Sequence, residues 1–310
     1  MSGICLLFAG QSVQETGMCA ELWKRKAARE VLERLAPCLG EDLEYLTTRM
    51  PEEELALTFN SQRAIHAHHL GHWFAYKAAH PDVVLDGAIG HSMGIVAALV
   101  AAEAISVEDS GAFIRARAQA FSEVCKGFEA PMGLAAVSCE ELAELFRELD
   151  GFPGVSLALH NTSRKAVLGG SLSDLEALAR HAQSEGWPVR IRVLKVEGPY
   201  HTKAFSPCKE GLRKALSCVT ISPPKVPVFM GTSGGREDDA ERIRELLVEQ
   251  ADSSERHLEA VRSAYEHGCR RFLEVAYKPQ PVTWISDQLL DEEGKPLPGV
   301  SVQAVRTEEI

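Results

Sequence analysis

The sequence has 310 residues and a formal net charge of −11, with 45% apolar and 25% charged residues. These fractions are typical of a globular protein with room for one large domain and a small inserted one. The acidic balance disfavours generic binding to nucleic acid. We find no apolar run of about 18 residues, and the short apolar run near the start lacks the basic region of a signal peptide. We therefore expect a cytoplasmic protein without a membrane span.

The first part of the chain alternates predicted strands and helices. The hydrophobic pattern predicts a buried strand at residues 3–9 and helices at 17–36 and 61–79. A strand at 83–88 is followed by a tight turn and by a buried helix at 93–102, rich in Ala, Val and Ile. Strand, turn and buried helix in this order predict a doubly wound α/β sheet.

The pattern changes between residues 131 and 197. It predicts strand, helix, strand, strand, helix and strand, with Ser171 or Ser173 as the N-cap of the second helix. That order is typical of a ferredoxin-like fold. We therefore predict a ferredoxin-like small subdomain at residues 131–197. It would be inserted into an α/β-hydrolase-like large domain with a parallel sheet, formed by residues 1–130 and 198–310.

The last third of the chain predicts a return to the large domain. A helix is expected at residues 204–216 and a strand at 225–230. Helices are expected at 239–249 and 254–267, and a strand at 269–275. The remaining tail has turn residues and one candidate strand.

Residues 90–94, GHSMG, fit the pattern G-x-S-x-G. Such a segment makes a sharp turn between a strand and a helix and exposes the serine Oγ, and its glycines permit strained backbone and close packing. The serine then lies at a helix N-terminus, where N–H groups favour developing negative charge. Ser92 is therefore the candidate nucleophile.

A serine nucleophile needs a base, and the chain has eleven histidines. His201 lies in the segment Gly198-Pro199-Tyr200-His201-Thr202, directly after a predicted strand. Gly and Pro fix a loop there, which suits a side chain aimed into a cleft. His201 is thus a candidate base.

Four other histidines, His66, His68, His69 and His72, crowd one predicted helix. His68 and His72 have the spacing of metal ligands, but no third ligand follows nearby. The eight cysteines include no CxxC pair, which disfavours a zinc ribbon or a redox motif. We expect partly buried or surface histidines, reduced thiols and neither metal nor cofactor.

Several segments match the motifs of one known family in the same order. Residues 10–14, GQSVQ, are similar to a GQGSQ signature with Ser12 in place of the second glycine, and residues 90–94 match GHSxG. Asn161 begins an N-x-x-x-x-x-V-x-x-G segment, and GPYHT, around His201, is similar to a GxFHS motif. Over residues 3–285 the chain thereby resembles the malonyl-CoA:acyl carrier protein transacylases and the acyltransferase domains of polyketide synthases.

The resemblance implies a reaction and its residues. Ser92 would accept an acyl group from acyl-CoA with His201 as general base, and a backbone carbonyl near Gln250 would orient the histidine. The backbone N–H groups of Gln11 and Met93 would form the oxyanion hole. The acyl group would then pass to the phosphopantetheine thiol of an acyl carrier protein.

The resemblance also assigns residues around the acyl group. Arg117 falls where the family places the arginine that pairs with the malonyl carboxylate, which implies a dicarboxylic acyl group. The helix alone would more simply place Arg117, or Arg115, on the surface in an ion pair. Tyr200 would shape the acyl pocket and favour a small acyl group, and Gln250 and Asn161 would support the site.

Two departures from the family pattern indicate a divergent member, such as a stand-alone enzyme of a specialised polyketide pathway. One is Ser12. The other is the segment EVAYKP at residues 274–279, where relatives have E-V-G-P-G. A divergent enzyme could carry an unusual acyl group.

Several alternatives remain open at this point. The Ser92–His201 pair could hydrolyse acyl carrier proteins, although Arg117 argues against this, or could take an unusual acyl group from a carrier protein. An α/β-hydrolase esterase could use His257 or His267, although the inserted subdomain fits it poorly. A non-catalytic module that docks on carrier proteins is a further alternative.

The partners expected from the resemblance are acyl-CoA, in particular malonyl-CoA, and an acyl carrier protein. An acidic carrier or a CoA phosphate needs a local basic patch on this acidic chain. Arg190, Arg192 and Lys195 are candidates for such a patch, against the alternative of a solvated surface. We expect a monomer.

Overall fold

The computed structural model describes residues 3–40 and 42–310. Residues 1–2, which the sequence analysis assigned to the large domain, and residue 41 lie outside the described part. The strands, in chain order, are β1 Ile4–Phe8, β2 Leu85–Gly90, β3 Met132–Cys139, β4 Val155–Thr162, β5 Lys165–Ser171, β6 Val189–Val193, β7 Val228–Met230, β8 Gly235–Glu237, β9 Glu255–Arg256, β10 Arg271–Val275 and β11 Ser301–Val305.

Helices connect and cover these strands. In the described part of the chain, no helix is long and apolar enough to cross a membrane. The α-helices are α1 Lys26–Leu39, α2 Leu43–Thr48, α3 Glu52–Leu55, α4 Thr58–Ala79, α5 Gly94–Ala101, α6 Val107–Lys126, α7 Leu142–Glu148, α8 Leu172–Ser184, α9 Lys209–Leu216, α10 Ala240–Glu249, α11 His257–Glu266 and α12 Ile285–Gln288.

The larger of two sheets has the strand order β11-β10-β1-β2-β7-β8. Its strands are parallel except β8, which runs antiparallel to β7. Central strand β1 is buried on both faces: Leu6 and Phe8 belong to one hydrophobic cluster, Cys5 and Leu7 to another. Because successive side chains of a strand point to opposite faces, helices must cover both sides of this sheet. The sequence prediction of a doubly wound α/β arrangement agrees with this mixed α/β architecture.

The second sheet has the order β6-β3-β5-β4-β9. The first four strands are antiparallel neighbours, and β9 comes from the last third of the chain to pair parallel with β4. Helices α7 and α8 cover one face through a third hydrophobic cluster that includes Val137, Leu168 and Leu178. The other face contributes Leu134 and Val167 to the main core, so the small sheet packs against the large domain.

The first predicted helix, at residues 17–36, begins later than the sequence suggested. Residues 22–24 form a single 3₁₀ turn and α1 starts only at Lys26. Gly17 has φ +90°, and Arg25 is extended at the N-cap of α1. A left-handed and an extended residue both interrupt helical hydrogen bonding, which is the physical reason for the difference.

The helix expected at residues 254–267 also begins late. Glu255 and Arg256 are extended and pair with Leu159 and His160 of β4, and α11 starts at His257. A two-residue strand has no hydrophobic period of its own, so local pattern could not reveal a pairing that exists only in the tertiary fold.

The four histidines of α4 are all buried, so the prediction of partly buried or surface side chains was wrong. His66 Nε2 lies 2.9 Å from Ser110 Oγ, and the His68 ring meets the His72 ring edge-on at 5.2 Å. Helices α1, α5 and α6 cover α4, which explains the burial. Burial lowers the pKa of His66 and His68 to about 3 and that of His72 to about 2. In the described residues no three His, Cys, Asp or Glu side chains are placed to hold a metal.

We predict that this histidine cluster makes the fold acid-sensitive. Folded-state pKa values far below the usual 6.5 mean that, from about pH 6.5 downwards, the unfolded chain binds more protons than the folded chain. Each such histidine removes about 1.4 kcal/mol of stability per pH unit in that range. Urea unfolding of His72→Gln should therefore show a shallower loss of stability from pH 7 to 5 than the wild type. His80→Gln, at an exposed histidine after the same helix, is the control and should keep the wild-type slope.

Candidate active site

The turn between β2 and α5 is strained and closely packed. Ser92 has φ +52°, a left-handed conformation that side chains disfavour. A Cβ on Gly90 would lie 2.0 Å from Ile95 N, and one on Gly94 would lie 2.5 Å from Phe8 O. Only glycine fits at these two positions, as the sequence motif predicted. The turn therefore holds the Ser92 side chain at the end of the strand, facing the cleft.

Ser92 and His201 form a hydrogen-bonded pair. Ser92 Oγ lies 2.7 Å from His201 Nε2, and His201 Nδ1 lies 2.8 Å from the backbone oxygen of Gln250. Because a carbonyl oxygen can only accept, Nδ1 carries the ring proton and Nε2 is left to accept from the serine. Burial, then the charges of Arg117 and His91, lower the pKa of His201 to about 3. The imidazole is therefore neutral at pH 7, as a general base must be.

Two backbone segments meet beside this pair. Gly10 follows β1 and packs so closely on the turn that a Cβ there would lie 2.6 Å from His91 Nδ1. Gln11 comes next and is fixed by a hydrogen bond from its Nε2 to Ser61 Oγ, 2.9 Å. Met93 precedes the first residue of α5, where backbone N–H groups have no acceptor within the helix. The oxyanion-hole role of Gln11 and Met93 stays a prediction.

Arg117 is buried beside the pair instead of lying on the helix surface. Its Nη1 donates to Gln62 Oε1, its Nη2 to Gln250 Oε1 at 3.3 Å, and its guanidinium lies 4.2 Å from the Phe121 ring centre. No carboxylate in residues 3–40 or 42–310 pairs with it. Burial lowers its pKa to about 10, so it remains charged at neutral pH. Arg115, two residues earlier, is exposed.

The structure places Tyr200 and Asn161 in different roles around the cleft. The Tyr200 ring is buried, packs on the rings of Phe121 and Phe205, and lines the cleft. Asn161 Oδ1 lies 2.9 Å from His91 Nε2, so Asn161 contacts the residue before the nucleophile rather than the nucleophile itself. The Gln250 side chain makes two contacts in addition to the backbone contact with His201. Its Oε1 accepts from Arg117 Nη2, and its Nε2 donates to Ser92 O at 3.0 Å.

A cleft of about 860 Å³ joins the two sheets at this point. Ser92, His201 and Arg117 line its inner part, and apolar residues of the small sheet line the opposite wall. The rim carries three basic side chains of the small subdomain that the sequence had singled out, Arg190, Arg192 and Lys195. The cleft is therefore polar and cationic at its mouth and apolar along one wall.

The alternative bases do not reach the nucleophile. His257 is fully buried and packs on His91, with ring centroids 5.1 Å apart, and on Trp284. His267 caps the C-terminus of α11 and packs on Phe229. The structure pairs Ser92 with His201 instead, which removes the geometric basis of the esterase alternative.

Sequence reasoning missed two residues of the site. Gln62 binds Arg117, as described above. Glu255 is fully buried and accepts the Ser92 N–H with its two oxygens at 2.7 and 2.9 Å. Neither lies in a family motif that the sequence revealed, and both stand in segments that the sequence predicted only as helices, at residues 61–79 and 254–267. Only the tertiary contacts identify them.

The two departures from the family pattern have structural explanations. Ser12 adopts φ +93°, so the loop keeps a glycine-like backbone although it has no glycine there. In the second departure, Glu274 is buried and accepts the N–H groups of Gln280 and Val282. Burial raises the Glu274 pKa to about 7. The carboxyl group thus closes the chain reversal between residues 274 and 282.

Comparison with known proteins agrees with this geometry. Residues 5–301 match the acyl transferase domain family. A malonyl CoA-acyl carrier protein transacylase of Bacillus subtilis is 30% identical over 280 residues, which cover 89% of this chain and 87% of that protein. The solved transacylase of Clostridium perfringens superposes with a TM-score of 0.86 at 24% identity, covering 100% of this chain and 94% of that one. A malonyl-transacylase solved with a type II polyketide synthase acyl carrier protein gives 0.88 at 24% identity, covering 98% and 96%.

The fold and the sequence match define an acyltransferase. The chain belongs to the acyl transferase domain family, and its curated relatives within that family are malonyl CoA-acyl carrier protein transacylases.

We predict that Ser12→Gly stabilises the protein. The left-handed backbone costs a non-glycine residue about 1–2 kcal/mol, of which the greater unfolded-state freedom of glycine cancels part. The expected gain is about 0.5–1 kcal/mol, measured by urea unfolding at pH 7.5. Gly17→Ala, at φ +90° in open space, is the converse control and should destabilise by a similar amount. A destabilised Ser12→Gly would contradict the strain argument.

Proposed function

We propose that this enzyme transfers a malonyl-type acyl group from coenzyme A to the phosphopantetheine thiol of an acyl carrier protein, through an acyl-Ser92 intermediate. One observation carries the proposal: a hydrogen-bonded Ser92–His201 pair lies beside Arg117, a buried guanidinium with which no carboxylate of residues 3–40 and 42–310 forms an ion pair. The Bacillus subtilis relative, named for this reaction, supports the same assignment.

In the first half-reaction, Ser92 Oγ attacks the thioester carbonyl as its proton passes to His201 Nε2. The Oγ–C bond forms and the carbonyl oxygen becomes an oxyanion, which would accept hydrogen bonds from the N–H groups of Gln11 and Met93. The oxyanion collapses, the C–S bond breaks, and the CoA sulfur takes the proton from His201. The Gln250 carbonyl stabilises the imidazolium through Nδ1–H during this step.

The second half-reaction reverses these roles. The thiol of the phosphopantetheine arm gives its proton to His201 and its sulfur attacks the acyl-serine carbonyl. The C–Oγ bond breaks, Ser92 Oγ recovers the proton, and the acyl thioester leaves on the carrier. The same Ser92–His201 pair could activate either a thiol or a water molecule against the acyl-serine. The outcome, transfer or hydrolysis, therefore depends on which of the two attacks the acyl-serine faster.

Arg117 supports a carboxylated acyl group. Two amide oxygens and one aromatic ring hold the guanidinium, and none of these three partners is an anion, so its direct contacts leave the charge unneutralised. A free carboxylate in this partly dry pocket can accept two parallel hydrogen bonds from it. Tyr200 packs into the same pocket and favours a small acyl group.

The mouth of the cleft is positively charged, which is complementary to an acidic carrier protein and to the phosphate groups of CoA. Arg190, Arg192 and Lys195 provide positive charge on a chain whose net charge is −11. We propose a cytoplasmic, monomeric enzyme that needs no cofactor and uses acyl-CoA as the donor. A donor already attached to a carrier protein is the second candidate, because the same cleft admits a phosphopantetheine arm in either case.

We further propose that residues 131–197 are a ferredoxin-like subdomain inserted into an α/β-hydrolase-like domain of residues 1–130 and 198–310. The antiparallel order β6-β3-β5-β4 and the cover of α7 and α8 on one face support the first assignment. The strand–turn–helix at Ser92 and the parallel central strands support the second.

We predict that Arg117→Ala reverses the acyl preference. Without the guanidinium, malonyl transfer should fall about 100- to 1000-fold because a charge-assisted bidentate contact is lost, while acetyl transfer should rise relative to malonyl. Intact-protein mass spectrometry after brief incubation with a panel of acyl-CoAs measures the acyl-Ser92 directly. Arg115→Ala, exposed on the same helix, is the matched control, and Ser92→Ala should gain no mass.

The same experiment separates the alternatives. Malonyl labelling of wild type and of Arg115→Ala, with none on Ser92→Ala, supports the proposal. Labelling by a carrier-bound donor but by no acyl-CoA would favour the second candidate. Release of free acid at the rate of acylation would favour a hydrolase.

We predict that kcat/KM for malonyl-CoA does not fall near pH 6.5. The pKa of His201 in the free enzyme is lowered to about 3, so the base stays unprotonated well below the usual histidine range. A bound carboxylate neutralises Arg117, which is one cause of this lowering, so the acid limb of kcat should lie at higher pH than that of kcat/KM. Brief pH-jump assays, with recovery of activity on return to pH 7.5 as the control for unfolding, test both points. An acid limb of kcat/KM at pH 6.5 would contradict the first.

A further inference from the structure

The most unusual polar group near the nucleophile is the Glu255 side chain. It is fully buried, and both carboxylate oxygens accept the Ser92 N–H, at 2.7 and 2.9 Å. Within residues 3–40 and 42–310, no Lys, Arg or His side chain forms an ion pair with it. Burial raises the pKa of this carboxyl group, and the more distant charges of His91 and Arg117 offset that effect only in part. A buried carboxylate without a direct ion pair is costly, so its presence beside the nucleophile calls for a physical explanation.

The surrounding backbone is shaped to admit this side chain. A Cβ on Gly231, just after β7, would lie 2.4 Å from the Glu255 Cγ, so only glycine leaves room. The adjacent Arg256 N–H donates to Gly231 O at 2.7 Å, and β9 pairs with β4 at Leu159 and His160. These contacts fix the backbone from which the carboxylate reaches Ser92.

The segment from Gln250 to Glu255 holds the dyad from both sides. Glu255 accepts the N–H of Ser92, and the side chain of Gln250 donates to the Ser92 carbonyl at 3.0 Å. The backbone carbonyl of Gln250 accepts from His201 Nδ1 at 2.8 Å. One short segment thus sets the positions of both Ser92 and His201.

Ser92 needs such support because its backbone is strained. Its φ of +52° is unfavourable for a residue with a side chain, and other φ values would swing Oγ away from His201 Nε2. A carboxylate that holds the N–H in place favours this conformation over relaxed ones. It does so even before any substrate binds.

We propose that Glu255 is a positioning residue for the nucleophile, whose buried carboxylate holds the Ser92 N–H and thereby keeps Ser92 Oγ on His201. The inference rests on the proposed function only in that Ser92 is the nucleophile; it is independent of the acyl group. The role of the Glu255 carboxylate is to accept a hydrogen bond. An amide oxygen at the same distance should therefore replace it, whereas a shorter or apolar side chain should not.

Three substitutions separate acceptance from size and charge. Glu255→Gln keeps the length and an acceptor oxygen, Glu255→Met keeps the length without a comparable acceptor, and Glu255→Asp keeps the charge but withdraws it by one methylene. Glu259→Gln is the control: it removes a carboxylate four residues away that contacts His160 rather than the site. Thermal unfolding of each variant verifies that it is folded.

The readout is the second-order rate at which an alkyl fluorophosphonate modifies Ser92. In that reaction Oγ attacks phosphorus, fluoride leaves, and the serine proton passes to His201, so no acyl-CoA is needed. Malonylation of Ser92 is timed in parallel by quenched mass spectrometry over a range of malonyl-CoA concentrations, which gives the saturating rate and KM. If the variants do not change the fluorophosphonate rate as expected, the Glu255 inference is wrong. If malonylation alone fails while fluorophosphonate reactivity is normal, the proposed substrate is wrong instead.

The expected result is a loss of about 10- to 100-fold in both rates for Glu255→Met and Glu255→Asp, with little change in KM, because small displacements of a nucleophile cost that much. Glu255→Gln should stay within about fivefold of the wild type, and Glu259→Gln should be unchanged. Folded Met or Asp variants that react at the wild-type rate would overturn the proposal. So would a Gln variant as slow as the Asp variant. If the Met variant does not fold, the comparison of Gln with Asp alone decides.

Discussion

The site depends on the close crossing of three backbone segments at Ser92. The end of β1, the end of β2 and the start of α5 approach so closely that Gly94 has carbonyl oxygens of Phe8 and Ala9 within 2.5 Å of where a Cβ would stand. This contact forces the left-handed turn at Ser92 and brings the loop after Gly10 against His91. The nucleophile, its strained backbone and the Gln11 loop are therefore consequences of one packing constraint.

The dyad partner depends on a second backbone exception. His201 also has a positive φ, +62°, and its ring is held by the Gln250 carbonyl. Two non-glycine residues in left-handed conformations, facing each other across 2.7 Å, are stable only where the surrounding fold over-determines both. Here the segment from Gln250 to Glu255 contacts both residues, which makes it as much a part of the site as the two motifs that the sequence revealed.

The sequence revealed the segments whose chemistry is local. Ser92 and His201 were predicted from turns that glycine and proline fix, and most strands and helices from their hydrophobic period. Arg117 was found only through family resemblance, because burial of one arginine on an amphipathic helix depends on which neighbours cover it. Glu255 was missed since its importance lies in a two-residue strand that pairs with β4, a contact between distant parts of the chain. The buried histidines of α4 were misjudged for the same reason.

The glycine missing from the first signature illustrates the limit of motif reasoning. Ser12 stands where the signature has glycine, yet the structure keeps a glycine-like φ of +93° there. The packing of the loop on the Ser92 turn outweighs the local preference of a serine, as tertiary contacts often outweigh propensity. The backbone conformation at a motif position is therefore determined more by tertiary contacts than by the residue type that the motif shows.

The charges of the cleft connect recognition of the acyl group with the strength of the base. In the free enzyme burial and then the Arg117 cation lower the pKa of His201, and the amide oxygens that hold the guanidinium do not cancel its charge. A weak base is a poor acceptor for the serine proton. In the proposed complex a malonyl carboxylate on Arg117 would remove that opposition and strengthen His201 when the thioester is in place, whereas an acetyl group would leave the Arg117 charge acting on the base. Discrimination between the two acyl groups would then appear in the chemical step as well as in binding, because the interaction is realised as charge develops on the imidazole.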